Sequence, residues 1–292
     1  MKNSITDKIL LKSNSFNYYK TQYNALTDEN KKLQDENKKL NNEKQAISKN
    51  LNEYKTSYND AIEEDYILRE CNCCGAKLPF FAPFRGRLHA QCPKCYALER
   101  TRLVSYYFKN HTEVYTKEIK LLHFGPETTF YNTFSQCDNI DYYPVDICEN
   151  KRIRLIVDMC DIPFEDNTFD YIFASHVMEH IPDDIQAMSE LYRTVKPSSE
   201  GGKVLLMIPL FKTLEKTFEN PEYDTPELRL KYFGQEDHVR KYSWDFIDRL
   251  ESVGFKVTTF TPQNVDKKTA IKYGFPTPSP DTDAETVFVC EK

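Results

Sequence analysis

Four cysteines stand in two closely spaced pairs. Cys71 and Cys74 form one C-x-x-C motif and Cys92 and Cys95 form a second, with seventeen residues between the pairs. Each pair lies in a predicted turn, and two such turns can point four thiolates at one tetrahedral centre, as in structural zinc sites. Since four sulfur ligands close the coordination sphere, we predict a structural zinc ion and no catalytic metal here. Cys73 lies outside the pattern, either as a substitute ligand or as a core residue.

Carboxylates and histidines follow the ends of predicted strands. Asp146 ends the strand "NIDYYPVDI", and a carboxylate about twenty residues after a strand–helix turn is suited to bind both hydroxyls of a ribose. Asp158 and Asp161 lie in the next loop, where a turn or capping role is the alternative. The next strand is followed by a polar cluster: Ser175, His176, Glu179 and His180. For Glu179 and His180 a structural role is the alternative.

The stretch "KLLHFGPETT" (120–129) places a tight turn between a predicted strand and a predicted helix. It holds one glycine, Gly125, followed at once by Pro126, and the adjacent Glu127 would repel a phosphate. NAD is not expected, because a dinucleotide needs closely spaced glycines around its pyrophosphate. S-adenosylmethionine has a ribose, an adenine and a cationic sulfonium but no phosphate, so an acidic site with few glycines suits it better. His123, at the strand end, is either part of this site or a core histidine.

Residues 97–292 predict the elements that would bring these groups together. Strands and helices alternate, which predicts a mostly parallel sheet with helices on both faces, a doubly wound α/β fold. In such sheets ligands bind beyond the carboxyl ends of the strands, near the switch point in strand order. The last two strands, "FKVTTFT" and "ETVFVCE", have no predicted helix between them, and we expect them to form a hairpin at one edge.

The segment before the cysteines carries a heptad repeat and no proline or glycine. Such a repeat predicts a coiled coil, and asparagine at a positions favours a parallel dimer, so a homodimer is expected. A single solvated helix or a partly disordered tail is the alternative. The predicted d positions are Leu26, Leu33, Leu40, Ile47, Tyr54 and Ala61, and the a positions are Asn30, Asn37, Lys44, Leu51 and Tyr58.

Composition limits the class of protein. A net charge of −6 and an isoelectric point near 5.6 do not favour a nucleic acid or an anionic membrane as partner. The chain has no apolar run of about 18 residues, and its start is too polar for a signal peptide. We therefore expect a cytoplasmic protein, in which cysteines are thiols or metal ligands. Three parts are predicted: a coiled-coil helix (1–66), a zinc-binding knuckle module (67–96) and the α/β domain (97–292).

One block of the α/β half carries a family resemblance. "VDMCDIPFEDNTFDYIFASHVMEHIPDDIQAMSELYRTVKP…GGKVLLMIPL" contains the elements D-x-x-D-[IL]-P-F, F-D, E-H-I, L-x-R-x-[LV]-K-P and G-G-x-[LV] in that order. Over residues 118–292 the chain resembles class I S-adenosylmethionine-dependent methyltransferases, which have a Rossmann-like sheet. "LLHFGPE", the knuckles leading into "LERTR" and "FGQEDHVRKYSWDFIDRLESVGF" are similar to one branch of that superfamily.

The resemblance implies a set of cofactor-binding residues. Gly125 and its neighbours would replace the usual G-x-G-x-G turn, Asp146 would bind the ribose, and Asp158 with the Met159 backbone would read the adenine. Ser175 and His176 would line the floor near the sulfonium. The implied cofactor set is His123, Phe124, Gly125, Pro126, Glu127, Asp146, Ile147, Asp158, Met159, Cys160, Asp161 and Ser175.

The methyl acceptor is expected to bind under the long polar segment after "GGKVLLMIPL", as under a lid. His238 in this segment is the predicted base or orienting donor, with helix capping as the alternative, and His176 is the rival catalytic residue. Arg240 could hold an anionic group of the acceptor. A small-molecule or glycan-like acceptor is favoured. The alternatives are an RNA methyltransferase that docks through the knuckle, and a catalytically silent scaffold.

Overall fold

The computed structural model describes residues 21, 26–49, 52, 68–275, 282–283 and 285–292. The chain divides into two compact units, Met1–Asp65 and Tyr66–Lys292. The knuckle residues and the α/β residues both fall in the second unit, and the division into three parts stays a prediction.

In the first unit, residues 26–49 form a continuous helix with every side chain exposed. The predicted d-position residues of this helix are apolar and at least half exposed: Leu26, Leu33, Leu40 and Ile47. The predicted core positions Leu51, Tyr54, Tyr58 and Ala61 lie outside the described residues. Within the described residues, the helix thus presents an apolar stripe at its surface.

The second unit begins with two small antiparallel ladders, one formed by the first two strands and one by the next two. A mixed seven-stranded sheet follows, together with short strand pairs beside it. The strands are β1 (Arg69–Glu70), β2 (Lys77–Leu78), β3 (Ala82–Phe84), β4 (Arg87–Gln91), β5 (Ile119–Phe124), β6 (Ile140–Asp146), β7 (Leu155–Ile156), β8 (Tyr171–Ser175), β9 (Lys203–Met207), β10 (Leu210–Phe211), β11 (Phe218–Glu219), β12 (Arg240–Lys241), β13 (Lys256–Phe260), β14 (Thr282–Asp283) and β15 (Val287–Glu291). The α-helices are α1 (Glu99–His111), α2 (Thr128–Phe134), α3 (Asp184–Thr194), α4 (Pro226–Phe233), α5 (Phe246–Ser252) and α6 (Lys267–Tyr273).

The seven-stranded sheet has the order β13-β15-β9-β8-β5-β6-β7. The five strands from β9 to β7 run parallel to one another, and β15 runs antiparallel to both of its neighbours. From β5 the chain adds β6 and β7 on one side and then crosses to add β8 on the other. The switch point in strand order therefore lies between β5 and β8, where a ligand is expected.

Helices cover both faces of the sheet, because successive residues of its central strands point to opposite sides. Leu122 of β5 packs in the core layer that contains α3 and α5. Leu121, one residue earlier, packs in the layer that contains α1 and α2. Strand β9 is buried at all but its first residue, as expected for a central parallel strand. The doubly wound, Rossmann-like α/β fold predicted from the sequence is confirmed.

The closing strands differ from the expectation in one way. Helix α6 lies between β13 and β15, where no helix was predicted. Asp266 caps the Thr269 amide at the start of the helix, and Gly274 in the left-handed conformation ends it. Both are ordinary signals for a helix start and a helix end. The two strands do pair antiparallel at one edge of the sheet, as expected, with β15 between β9 and β13.

Candidate functional site

Gly125 forms the turn that ends β5 at the switch point. Its φ is +58°, a conformation that glycine adopts without strain, and its amide donates to the Val145 carbonyl at 3.0 Å. A Cβ at this position would lie 3.0 Å from the Val177 side chain. The turn therefore packs directly against the chain that follows β8, and Pro126 beside it is buried. Glu127 precedes α2 and lies 3.6 Å from Arg100.

Asp146 ends β6, next to β5, and is half-buried. Its carboxylate accepts a hydrogen bond of 3.2 Å from the Cys148 amide, which fixes its orientation. The following Ile147 is 66% exposed. A half-buried carboxylate beside an exposed apolar side chain is suited to a ligand with hydroxyl groups and a flat apolar ring.

Asp158 and Asp161 lie in one tight turn after β7, and both are exposed. The Asp158 carboxylate accepts from the Cys160 amide at 2.8 Å, and its carbonyl accepts from the Asp161 amide at 3.1 Å. Met159, between them, is buried. Asp158 thus stabilises a turn, which was one of the two roles expected for it. Its exposed carboxylate lies at the same end of the sheet as Asp146.

His123 belongs to the core. Its ring is fully buried, its Nδ1 lies 2.8 Å from the Tyr142 hydroxyl, and it stacks on Phe173 with ring centroids 4.7 Å apart. Burial, with a smaller effect of the Arg152 charge, lowers the pKa of His123 to about 3. The Nε2 of His123 has no hydrogen-bond partner among the described residues, but the neutral ring is fully buried among Phe130, Phe134 and Phe173. We therefore remove His123 from the expected cofactor contacts.

Ser175 and His176 end β8 directly across the switch point. His176 has a φ of +57°, a strained backbone for a residue with a side chain and one often found at functional sites. Its Nδ1 lies 3.3 Å from the Glu179 carboxylate. The Ser175 Oγ and the His176 Nε2 are buried and have no hydrogen-bond partner in the part of the chain that the structure describes. Both groups are available to a ligand.

His238 is brought to the same region from a segment about sixty residues further along the chain. It is buried, and its ring contacts that of His180 edge-on with centroids 4.7 Å apart. The Val239 amide donates to the Glu179 carbonyl at 2.9 Å and joins the two segments. Burial lowers the pKa of His238, so the ring is neutral near pH 7 and has a free nitrogen lone pair.

Arg240 has a structural role, and its guanidinium is not open to an anionic acceptor. Its guanidinium is buried and pairs with Glu219 at 2.8 Å. It also donates to the backbone carbonyls of Met178, Ile181 and Pro182. The expectation that Arg240 binds the acceptor is therefore wrong, since its donors are engaged within the protein. They hold the segment around His238 against the loop after β8.

The four paired cysteines form one compact group. Cys71 and Cys95 have their Sγ atoms 3.6 Å apart, and Cys74 and Cys92 have theirs 3.7 Å apart. All four sulfur atoms lie within 4.8 Å of one another. With zinc–sulfur bonds of about 2.3 Å, the edges of a tetrahedral site would be about 3.8 Å. The spacing fits a tetrahedral ion and is too long for disulfide bonds. Cys73 lies outside the group, with its thiol 3.8 Å from the Thr101 carbonyl.

The two knuckles have the same backbone geometry. The Cys71 amide donates to Ala76 at 2.8 Å, and the Cys92 amide donates to Ala97 at 2.9 Å. The fifth residue of each turn, Gly75 or Tyr96, has a positive φ and donates to the carbonyl of the first cysteine. The sequence predicted the cysteine pairs but not this matching of the two turns.

Arg102 on α1 connects the knuckles to the α/β part, a role that no pattern in the sequence predicted. Its fully buried guanidinium donates to Ala90 and Ala97 on the knuckle side and to Tyr273 and Gly274 on the α6 side. It also lies 3.8 Å above the ring of Phe81. One buried cation thus satisfies carbonyls from three separate segments.

Among the described helices, none combines the length and the apolar composition needed to cross a membrane.

Residues 128–205 match the family model described as "Methyltransferase domain". Over 64 residues the chain is 39% identical to a demethylmenaquinone methyltransferase of Bacillus mycoides, an alignment that covers 22% of this chain and 26% of the relative. Over 59 residues it is 45% identical to phosphoethanolamine N-methyltransferase 2 of Caenorhabditis elegans, covering 20% of this chain and 13% of the relative. The chain thus matches about a quarter or less of the length of these relatives.

Among the similar solved structures is the Haemonchus contortus phosphoethanolamine N-methyltransferase 2 bound to phosphomonomethylethanolamine and S-adenosylhomocysteine. It is 16% identical, with a TM-score of 0.42, and the match covers 62% of this chain and 51% of that chain. The matched family segment runs from the start of α2 into β9. It includes Asp146, Asp158 and the end of β8, where the structure gathers its available polar groups. Residues 128–205 thus match a methyltransferase domain in the part of the chain where the sequence motifs predicted the class I S-adenosylmethionine-dependent family.

Proposed function

We propose that the protein transfers the methyl group of S-adenosylmethionine to an acceptor bound beyond the carboxyl ends of β5 and β8. The family match over residues 128–205 carries this proposal, because it includes β6, β7 and β8 and therefore the β8 side of the switch point. The acidic side chains there, Glu127, Asp146 and Asp158, suit a cofactor with a net positive sulfonium and two ribose hydroxyls.

The proposed cofactor contacts follow from this placement. Asp146 binds the ribose hydroxyls, and the exposed Ile147 packs against the adenine. The turn with Asp158, Met159, Cys160 and Asp161 borders the adenine, in agreement with its exposed carboxylates. Gly125, with Phe124, Pro126 and Glu127 around it, approaches the amino-acid tail. Ser175 lies on the floor below the sulfonium, supported by its buried and unpartnered hydroxyl.

On the acceptor side we assign His238 as the base or orienting group and His176 as a residue near the transferred methyl. His238 is a buried histidine beside the loop after β8, and His176 follows directly on Ser175. Most of the rate of methyl transfer can come from holding the acceptor in line with the sulfonium, so an orienting role is sufficient.

The acceptor is proposed to be a small molecule or a glycan-like compound. The curated relatives are named for demethylmenaquinone and phosphoethanolamine, which are small molecules. An RNA acceptor docked through the knuckle is the second candidate, but Arg87 of the knuckle is engaged with Glu99 at 3.0 Å. Because Glu99 partly neutralises its guanidinium, Arg87 contributes less to a basic surface than the sequence indicated.

The cysteine group is proposed to hold one structural zinc ion, supported by the sulfur spacing and the matched turns. Zinc would supply folding free energy to a module that has little core of its own. The exposed stripe on residues 26–49 is proposed to form a homodimeric coiled coil. We place the protein in the cytoplasm, since it has the cysteine usage of a reducing compartment.

Titration calorimetry tests the function. The full-length protein is expected to bind S-adenosylmethionine and not NAD. Failure to bind S-adenosylmethionine would support the catalytically silent scaffold instead. The two histidines are then separated by variants: His238→Ala should abolish turnover with the identified acceptor and keep cofactor affinity, whereas His176→Ala should reduce both. Full activity of the His238 variant would contradict its assignment.

A further inference from the structure

We propose that Glu179, His180 and His238 bind a divalent transition-metal cation, at a site separate from the four cysteines. One ligand atom from each of these three residues lies within 4.8 Å of the others. Two imidazoles and one carboxylate around a common point are a frequent donor set for first-row transition cations.

The buried carboxylate of Glu179 is the first argument for a cation. The residue is 1% exposed, and neither carboxylate oxygen has a hydrogen-bond donor among the residues that the structure describes. Its nearest ionisable neighbour, His176, lies 3.3 Å away without hydrogen-bond geometry. A carboxylate enclosed in this way is strongly unfavourable unless a positive charge is beside it. A cation between Glu179 and the two histidines would supply that charge.

The second argument is the orientation of the histidine ligands. The Nδ1 of His180 lies 3.2 Å from the Asp237 carbonyl and 3.3 Å from its carboxylate. Metal-bound histidines commonly donate their other ring N–H to such a carbonyl or carboxylate, which fixes the ring and leaves the second nitrogen for the metal. In His180 this leaves Nε2.

The third argument is the rigidity of the site. His238 is held opposite Glu179 by the bond from the Val239 amide to the Glu179 carbonyl. Arg240 donates to carbonyls of the same loop and pairs with Glu219. The two ligand segments, about sixty residues apart in sequence, are therefore fixed against each other before any ligand binds.

The cation class follows from the donors. Nitrogen and carboxylate oxygen suit Mn²⁺, Co²⁺, Fe²⁺ or Zn²⁺, whereas the four thiolates of the knuckle select softer ions and disfavour Mn²⁺. Three protein ligands leave at least one coordination position open, and His180 is only partly buried. The open position is therefore accessible to water or to an oxygen atom of a bound molecule.

The position of this site connects it to the proposed methyltransferase function. Only this connection, and not the cation binding itself, rests on the proposed function. Val177, between His176 and Glu179, is the residue that a Cβ on Gly125 would meet. The cation would thus lie in the loop that contacts the cofactor turn. A metal-bound His238 is not a base, so His238 would orient the acceptor through the cation, and the acceptor would present an oxygen atom.

Electron paramagnetic resonance with Mn²⁺ tests the proposal on the full-length, zinc-loaded protein. We expect one bound Mn²⁺ per chain, with enhanced water-proton relaxation from an exchangeable water in the open position. Glu179→Gln and His180→Asn should each weaken Mn²⁺ binding at least tenfold. His111→Ala changes an exposed histidine on α1, distant in sequence from the three proposed ligands. It should leave the Mn²⁺ affinity unchanged.

Two controls keep the result interpretable. Circular dichroism identifies any variant that does not fold, and the second substitution then decides. Calorimetry with S-adenosylmethionine reports on the proposed function independently, because the cation ligands are not assigned to the cofactor. The proposal is overturned if the folded wild type binds neither Mn²⁺ nor Co²⁺ nor a second equivalent of Zn²⁺, or if both variants retain wild-type Mn²⁺ affinity.

Discussion

At the scale of single residues, Gly125 is the residue proposed to replace the usual glycine-rich cofactor turn. Gly125 has the positive φ that lets the chain reverse after β5, and its missing side chain leaves room for Val177. Further glycines would be needed for a backbone that surrounds a pyrophosphate. A cofactor without phosphates requires only the turn itself and carboxylates for its hydroxyl and amino groups, which the neighbouring residues supply.

Asp146→Ala should weaken S-adenosylmethionine binding by about 1–3 kcal/mol, the cost of leaving buried hydrogen-bonding groups without partners. Calorimetry on the purified variant measures this loss. Asp141→Ala is the matched control, because Asp141 lies on the same strand but is exposed and pairs with Arg154 at the surface. Wild-type affinity in the Asp146 variant would rule out the ribose contact.

His123 should make the fold sensitive to acid. Its pKa in the folded protein is lowered to about 3, below the value of about 6.5 in an unfolded chain. Between these values the unfolded state binds more protons, so stability is full above about pH 6.5 and falls as the pH decreases, by up to about 1.4 kcal/mol per pH unit.

Urea unfolding of the wild type and His123→Gln between pH 7 and pH 4 measures this effect. The variant starts less stable, because the Tyr142 hydroxyl loses its partner, but its stability should decrease less with acid. Parallel pH profiles for the wild type and the His123 variant would contradict the argument.

At the scale of elements, the knuckle module depends on the rest of the second unit. Its strands are two or three residues long apart from β4, and its core cluster is small, with Phe81 and Ala97 beside the cysteines. Arg102 of α1 connects it to α6 through backbone carbonyls. A metal at the four sulfurs would therefore stabilise both the turns and their attachment to α1.

Elemental analysis should find about one zinc per chain, and Cys92→Ser should remove it. Loss of a thiolate should destabilise residues 68–96, because metal binding supplies folding free energy to short loops. Hydrogen exchange of the knuckle amides reports this change. Cys73→Ser is the control, since Cys73 lies outside the sulfur group. A zinc content below about half an equivalent in the wild type would exclude the site.

At the scale of the whole molecule, the two units have different kinds of surface. The helix over residues 26–49 leaves its apolar heptad residues exposed, whereas the second unit buries an extensive core on both faces of its sheet. Apolar residues exposed at heptad spacing are buried when two such helices pair. The first unit is therefore the part of the chain suited to self-association.

Removal of residues 1–66 should give a monomer that binds S-adenosylmethionine with unchanged affinity, because the proposed cofactor contacts all lie in the second unit. Light scattering measures the mass, and an unchanged oligomer after truncation would exclude dimerisation through the helix. In the full chain, replacing Asn30 and Asn37 with isoleucine should stabilise the coil and broaden its choice of oligomeric state.

Local patterns in the sequence determined much of this protein. Apolar runs of strand length predicted β5, β8 and β9, because central strands are buried on both faces of the sheet. Helical spacing predicted α1 and α3, because each helix buries one face. The cysteine spacing indicated the group of four thiols, and the motifs between Asp158 and Gly202 indicated the methyltransferase family. Helix α6 was missed, although its cap at Asp266 and its stop at Gly274 were readable.

Only the tertiary structure decided which polar residues meet. His123 and His238 are both histidines near strand ends, but His123 points into an aromatic layer, whereas His238 meets Glu179 and His180 across a long separation in sequence. Such contacts depend on how distant segments pack, and no local periodicity encodes them. The physical reason is that burial and charge compensation are properties of the assembled core, and a short stretch of sequence does not contain them.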